Sequence, residues 1–353
     1  MSTIVHKLEY HDNLKTKRFE FMAPYFAEHK HIFVNITEYW FPFEKIMALF
    51  KFLPKHIDAV LIVLPQLLTD DQHAQLNQLI PTYRVDTLIY ESYQLTPEHT
   101  AWDRQADKFV CLTGGPQKYN RYRLIVELHK ADLLKHSVYS LQVNPTLYDT
   151  CLDLLEHDDK AYYSDKFEML NSNPDNSTWH VVNKNWVRMC FDDNSILNNK
   201  LFRVVSETVF VSHDNMQHGD TIVISEKTWL TIGYKLPFIM AGQPGTLVYL
   251  KQMGFNTFDE WLIEPYDLIE DPKERMNSII RNTEHWVNTL KDAQGVDEAV
   301  QHNYNRFKEL SKMHEITFKD AYNKLDIPYD PDIVSMRGYQ QSMVDTDGKY
   351  LTG

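Results

Sequence analysis

The sequence predicts an α/β protein of two domains, each built on a parallel sheet, and three observations carry the prediction. The chain has 353 residues, more than one minimal core needs at roughly 150 residues per domain. Short apolar runs rich in β-branched residues alternate with segments whose apolar residues recur at helical spacing. That is the pattern of strands buried on both faces between crossover helices. The alternation also starts twice. Hydrophobic residues at 43% and aromatics at 13% supply packed cores and exclude disorder as the main state.

The first series has strands at His31 to Ile36 (HIFVNI), Ala59 to Leu64 (AVLIVL) and Val85 to Tyr90 (VDTLIY). Between them Phe43 to Phe52 (FEKIMALFKF) and Asp70 to Ile80 (DDQHAQLNQLI) have helical spacing, with Thr69 placed to cap the second. The result is a βαβαβ unit. The second series opens at Lys108 with KFVCL, passes through the helical Arg121 to Lys130, and reaches a strand at Val138 to Val143. After the loop composition of NSNPDNS come WHVV (Trp179 to Val182), LFRVV (Leu201 to Val205) and PFIM (Pro237 to Met240) as further strands. From Pro272 to Leu325 the pattern is helical, and the tail beyond Pro328 is aperiodic. The expected domains are residues 1–104 and 105–326, with 327–353 as a tail.

Charge and composition restrict the function classes. Lys and Arg number 36 against 49 Asp and Glu, a net of -13; an acidic surface repels phosphate backbones, so strong non-specific nucleic-acid binding is not expected. The longest apolar candidate for a membrane span, Ala59 to Leu68, is broken by Pro65 and Gln66, so no span is expected. Met1 to Lys17 lacks the apolar core of a secretory signal, and the expected location is the cytoplasm. Cys111, Cys151 and Cys190 are widely spaced and form neither a disulfide framework nor a CxxC pair.

The stretch from Ile224 to Phe255, ISEKTWLTIGYKLPFIMAGQPGTLVYLKQMGF, reads as loop, helix, short buried strand, Gly-Pro-Gly-like turn and helix, a nucleotide-site layout. A helix starting near Ser225 presents free amides and the positive end of its dipole, and Lys227 in its first turn adds a full charge where bases are disfavoured. Either a bound diphosphate explains the placement, or Ser225 is an ordinary cap and Lys227 a solvated side chain. His29 and His31 lack acidic or cysteine partners nearby, and the Asp-x-Asp sequences at Asp330 and Asp345 lie in the aperiodic tail and read as turns. No metal is predicted. A dinucleotide-dependent oxidoreductase would need G-x-G-x-x-G after a first strand, which neither AVLIVLPQLLTD nor KFVCLTGGPQK supplies.

The block resembles the donor-binding signature of the alpha-1,3-fucosyltransferase family and its phage- and giant-virus-encoded relatives: Glu226, Lys227, Trp229, Pro237, Phe238 and Gly242 occupy matching places. Upstream, Lys108, Phe109, Arg121 and Arg123 match the opening of that family's donor domain, and IYESYQLTP is similar to its Glu-Ser-Pro segment, with Tyr93 where the family has Pro. SET at Ser206 to Thr208 stands where the family has Glu-Asn-Ser, which makes Glu207 a match shifted by one place. Trp261, Tyr266 and Asp267 resemble an aromatic-acidic segment of the viral relatives and read equally as a packed loop.

The resemblance implies a GT-B-like α/β fold, two Rossmann-like domains facing a central cleft, the amino-terminal one on the acceptor side. It also implies a metal-independent, inverting glycosyltransferase that moves a sugar from a nucleoside-diphosphate sugar to an acceptor hydroxyl. No cofactor beyond the donor substrate is implied. Cationic groups stabilise the charge that builds on the departing diphosphate, and a carboxylate accepts the acceptor's proton. The donor set is Arg121, Arg123, Glu207, Ser225, Glu226, Lys227 and Gly242. Arg121 and Arg123 lie two apart, so one is expected on phosphate and the other solvated or paired. Glu226 either accepts from ribose hydroxyls or complements its helix dipole. Glu91 is the expected general base, with Glu38 as the fallback. The acceptor expected from the charge is a glycan; the alternatives are hydroxymethylated bases of phage DNA, or a non-catalytic nucleotide-sugar-binding protein.

Overall fold

The computed structural model describes residues 4–6, 31–35, 43–53, 55–64, 70–86, 89, 92–93, 101–113, 119–141, 194–210 and 222–325. Among them the predicted alternation folds into two four-stranded sheets, all of whose strand pairs are parallel. The chain divides into two compact units. The first comprises Met1–Gln94, Asn215–Glu226 and Lys308–Gly353, and the second Leu95–Asp214 and Lys227–Phe307.

The sheet of the first unit contains β1 (Ile4–His6), β2 (His31–Asn35), β3 (Ala59–Leu64) and β4 (Thr82–Asp86), in that order. Helix α1 (Phe43–Phe52) connects β2 to β3, and α2 (Asp70–Leu79) connects β3 to β4. The two helices pack on one another, and Ile46, Phe50 and Leu76 from them are buried with Val60 and Ile62 of β3. The last strand differs from its expected place at Val85 to Tyr90, running instead from Thr82 to Asp86. Side-chain hydrogen bonds set that start. Asn77 Oδ1 accepts from the Thr82 amide at 2.6 Å, and the Thr82 hydroxyl donates to the Ile80 carbonyl at 2.7 Å. The strand therefore begins immediately after the helix. Strand β1 lies in an amino-terminal stretch that shows no strand period in sequence.

The second unit holds β5 (Phe109–Thr113), β6 (Ser137–Leu141), β7 (Arg203–Ser206) and β8 (Phe238–Ala241), ordered β6-β5-β7-β8. Helix α3 (Tyr119–Lys130) links β5 to β6. Helix α4 (Glu226–Gly233) lies between β7 and β8, and α5 (Thr246–Gln252) follows β8. Helices α6 (Pro272–Thr289) and α7 (Val296–Leu325) complete the described residues. Pro272 at the start of α6 gives up no hydrogen bond there, and the Asp271 side chain accepts from the Glu274 amide at 2.7 Å. Every residue of β5, β7 and β8 is buried, as expected of parallel strands covered on both faces. Phe109 stacks on Phe202 at 5.0 Å between ring centroids, and Trp229 stacks on Phe307 at 6.0 Å.

Strand order is sequential in the first unit but reverses in the second, where the chain leaves β5 towards β6 and then returns to place β7 on the other side of β5. The carboxyl ends of β5 and β7 therefore flank a switch point, the position at which open α/β sheets bind ligands. Among the described residues β8 closes one end of this sheet. Its Met240 amide donates to the Tyr266 hydroxyl oxygen at 2.7 Å. Tyr266 is buried and Asp267 half-buried, the packed-loop alternative for that segment. The expected strand at Trp179 to Val182, the aperiodic tail, Thr69, His29, Cys151 and Cys190 lie outside the described residues.

Candidate functional site

The switch point of the second unit is edged by the residues that follow its strands. Thr113 ends β5, Ser206 ends β7 with Glu207 next to it, and Ala241 ends β8 with Gly242 next to it. Helices α3 and α4, which follow β5 and β7, begin at this same edge, so their positive dipole ends point to it. Of the residues expected at the donor site, Glu207 and Gly242 follow the paired strands β7 and β8 and meet at this edge, and Lys227 precedes Thr228, which donates to Glu207.

Glu207 is fully buried. Its amide donates to the Ala241 carbonyl at 2.9 Å, continuing the β7–β8 ladder by one residue. Its Oε1 accepts from the Thr228 hydroxyl at 2.5 Å and its Oε2 from the Thr208 amide at 3.0 Å. Both carboxylate oxygens therefore accept, one from a side chain of α4 and one from the adjoining backbone, and the side chain is fixed in place. Gly242 lies against it. A Cβ at Gly242 would stand 3.2 Å from Thr246 Oγ1, 3.3 Å from Met240 Cγ and 3.6 Å from Glu207 Cβ. Close approach, rather than backbone conformation, is what glycine provides here.

Ser225 directly precedes α4 and is buried, with Glu226 and Lys227 in the first turn at 2% and 6% exposure. The solvated alternative for Lys227 is thereby excluded. Its carbonyl accepts from Arg203 Nη1 at 3.3 Å and from the Thr231 hydroxyl at 2.6 Å. Arg121 and Arg123 in α3 are both buried, at 6% and 4%, so of the expected solvated or paired state for one of them the structure leaves the paired one. The reason is that α3 is covered on two sides: it follows β5 onto the sheet and packs against α6, leaving Asn120 to Val126 all buried. Arg121, Arg123, Glu226 and Lys227 all have interaction partners.

Sequence reasoning does not reach Thr228 or Arg203. The signal for Arg203 is a lone cation inside the apolar run LFRVV; Thr228 carries none beyond its place beside Lys227. Among the described residues, with Arg203 included, the buried Lys and Arg of the second unit are Arg121, Arg123, Arg203, Lys227 and Arg275, against Glu207 as its buried carboxylate, with Glu226 the last residue of the adjoining first-unit segment. Arg275 is committed elsewhere, donating to the carbonyls of Ile269, Glu270 and Phe210. Burial pushes the Cys111 thiol in β5 up to about 12, against the opposing pull of Arg203, so it is no nucleophile.

The other helix start at this edge is closed. Asp267 accepts from the Leu247 amide at 2.9 Å and the Val248 amide at 3.1 Å, occupying the first turn of α5. Glu91 and Glu38 lie outside the described residues; Ser92, next to Glu91, is buried. Among the described residues no three His, Cys, Asp or Glu side chains gather as a metal ion would require, and no helix is long and apolar enough to cross a membrane.

No protein-family model matches the chain, and no curated protein matches its sequence significantly. Among solved structures it is similar to a DNA-modifying β-glucosyltransferase determined in the presence and absence of its substrate uridine diphosphoglucose. The identity is 8% over 92% of this chain and 82% of that one, with a TM-score of 0.40. A likeness at this level assigns neither family nor activity.

Proposed function

We propose that the second unit binds a nucleoside-diphosphate sugar at its switch point, and that the protein is a metal-independent, inverting glycosyltransferase of GT-B type. The observation that carries the reading is the placement of Lys227, a buried basic residue in the first turn of α4, whose next residue Thr228 donates to Glu207 at the carboxyl end of β7. Free amides and a basic side chain at the start of one helix are the elements that bind a diphosphate. Buried Arg121 and Arg123 lie in α3, the helix that follows β5 on the other side of the switch point, and Glu207 with Gly242 follows β7 and β8 at the same edge.

In the proposed reaction the acceptor hydroxyl attacks the anomeric carbon from the face opposite the diphosphate. The carbon–oxygen bond to phosphate breaks with its electron pair leaving on the diphosphate, where Lys227 stabilises the added charge. The hydroxyl proton passes to a carboxylate, for which Glu91 is the proposed base. The acidic balance of -13 favours a glycan over a polyanionic acceptor.

Titration calorimetry with UDP and with GDP in EDTA-containing buffer tests the donor site. The expected result is binding of one nucleotide by the natural chain and a loss of about tenfold or more for Lys227→Ala, the size of a charge-assisted hydrogen bond. Unchanged affinity in a folded variant would remove the phosphate role. Released nucleoside diphosphate from a panel of nucleotide sugars, with and without glycan acceptors, then separates a transferase from a protein that only binds the donor.

A further inference from the structure

A second surface feature is independent of the nucleotide reading. An open groove of about 460 Å³ runs between α5 and the segment 262–269. Its lining includes Val248, Leu262, Ile263, Leu268 and Ile269. Leu268 is 71% exposed and Ile263 52%, an apolar outlay on a monomer's surface that marks an interaction site when the residues are contiguous. The surroundings are acidic. Asp259, Glu264 and Asp267 are in the lining itself, and exposed Glu260 and Glu270 flank it in sequence. Two of these acids are paired, Asp259 with Lys251 and Glu264 with Arg281, and Arg275 is buried; with Lys273 nearby, Asp267, Glu260 and Glu270 still leave the surroundings net negative.

We infer that this groove docks a segment of a partner protein that carries apolar side chains on one face and lysine or arginine beside them. The apolar floor requires an apolar anchor, and the acidic rim selects the charge of what flanks it. The same rim repels nucleic acid and anionic lipid. A second copy of this chain is disfavoured by the same argument, since a two-fold contact would set the acidic rim against itself in a protein already at -13.

The test uses the full chain and short fluorescein-labelled helical peptides read by anisotropy. The probe has leucines on one face and lysines on the other; one control replaces lysine by glutamate, and a second replaces leucine by serine. The probe is expected to bind, the controls are not, and affinity should fall with salt. Leu268→Glu separates groove docking from diffuse attraction to an acidic protein. It adds negative charge at an exposed position, so diffuse attraction would rise, whereas docking should weaken by about tenfold as the anchor's contact is lost. Ile263→Glu repeats the test at an independent position. Equal binding of probe and controls, or undiminished affinity in both variants, would overturn the inference. Self-association of the natural chain abolished by Leu268→Glu would also overturn it, by placing a second copy in the groove.

Discussion

Replacing Thr228 by valine removes a hydroxyl that a buried carboxylate accepts from and puts a methyl in its place. The Thr228 hydroxyl donates to Glu207 Oε1 at 2.5 Å, and both residues are fully buried. A hydrogen bond to a charged group contributes about 1.5–3 kcal/mol, and the partner left behind keeps its desolvation cost. Valine leaves no cavity, and its methyl, which cannot approach Oε1 to hydrogen-bonding distance, pushes the carboxylate away and adds to the loss. The expected loss is about 2 kcal/mol, or about 4–8 °C in Tm for a unit of this size. Urea unfolding followed by circular dichroism measures it, with an unchanged slope showing that only stability has moved. The cycle with Glu207→Gln and the double variant isolates the pair, with a coupling of about 1 kcal/mol or more expected. A Thr228→Val protein within about 0.5 kcal/mol of the natural chain, or strictly additive effects, would show that the bond does not hold Glu207.

Three other positions each carry an expected outcome. Gly242→Ala introduces a methyl 3.2 Å from Thr246 Oγ1 and 3.6 Å from Glu207 Cβ; it should leave the fold intact and weaken nucleoside-diphosphate binding several-fold, as calorimetry would reveal, and equal affinity would free Gly242 from the site. Cys111, whose thiol is pushed from 9.0 to about 12 by burial, should resist thiol reagents in a Cys151→Ser, Cys190→Ser background until the protein unfolds. Because the unfolded thiol ionises first, its contribution to stability is complete below about pH 9 and is lost as pH rises towards 12; Cys111→Ala should remove that slope in unfolding curves between those limits. Glu91→Gln should lower sugar transfer by about 10²–10⁴ while donor affinity stays near normal; near-normal turnover would pass the role to Glu38 as the next carboxylate to replace.

Local pattern alone locates most of the sheet and helix scaffold. AVLIVL and FEKIMALFKF coincide with β3 and α1 because strand and helix periods differ and each run is bounded by polar or turn residues. What the pattern misplaces is decided by side chains meeting across elements. Asn77 and Thr82 start β4 three residues earlier than its apolar content suggests. At the candidate site, Ser225, Glu226 and Lys227 are legible because a first-turn cation breaks a local rule. Thr228 is not, since its meaning comes from Glu207, 21 residues away in sequence. Arg121 and Arg123 show the same limit: helical spacing tells which residues share a face, but not that α6 packs against α3 in addition to the sheet.

The end of the second sheet bears on how this protein behaves when crowded. A bare outer strand is a template on which another chain can add itself, the first step in polymer growth. In β8 the Met240 amide is already bound by a phenol oxygen at 2.7 Å, and burial pushes that tyrosine's ionisation well above its ordinary range. An incoming strand would have to displace a neutral, packed ring before making its first ladder bond here. Tyr266 thus works as a stopper at the end of the sheet that β8 forms among the described residues, keeping it from becoming the seed of a longer one.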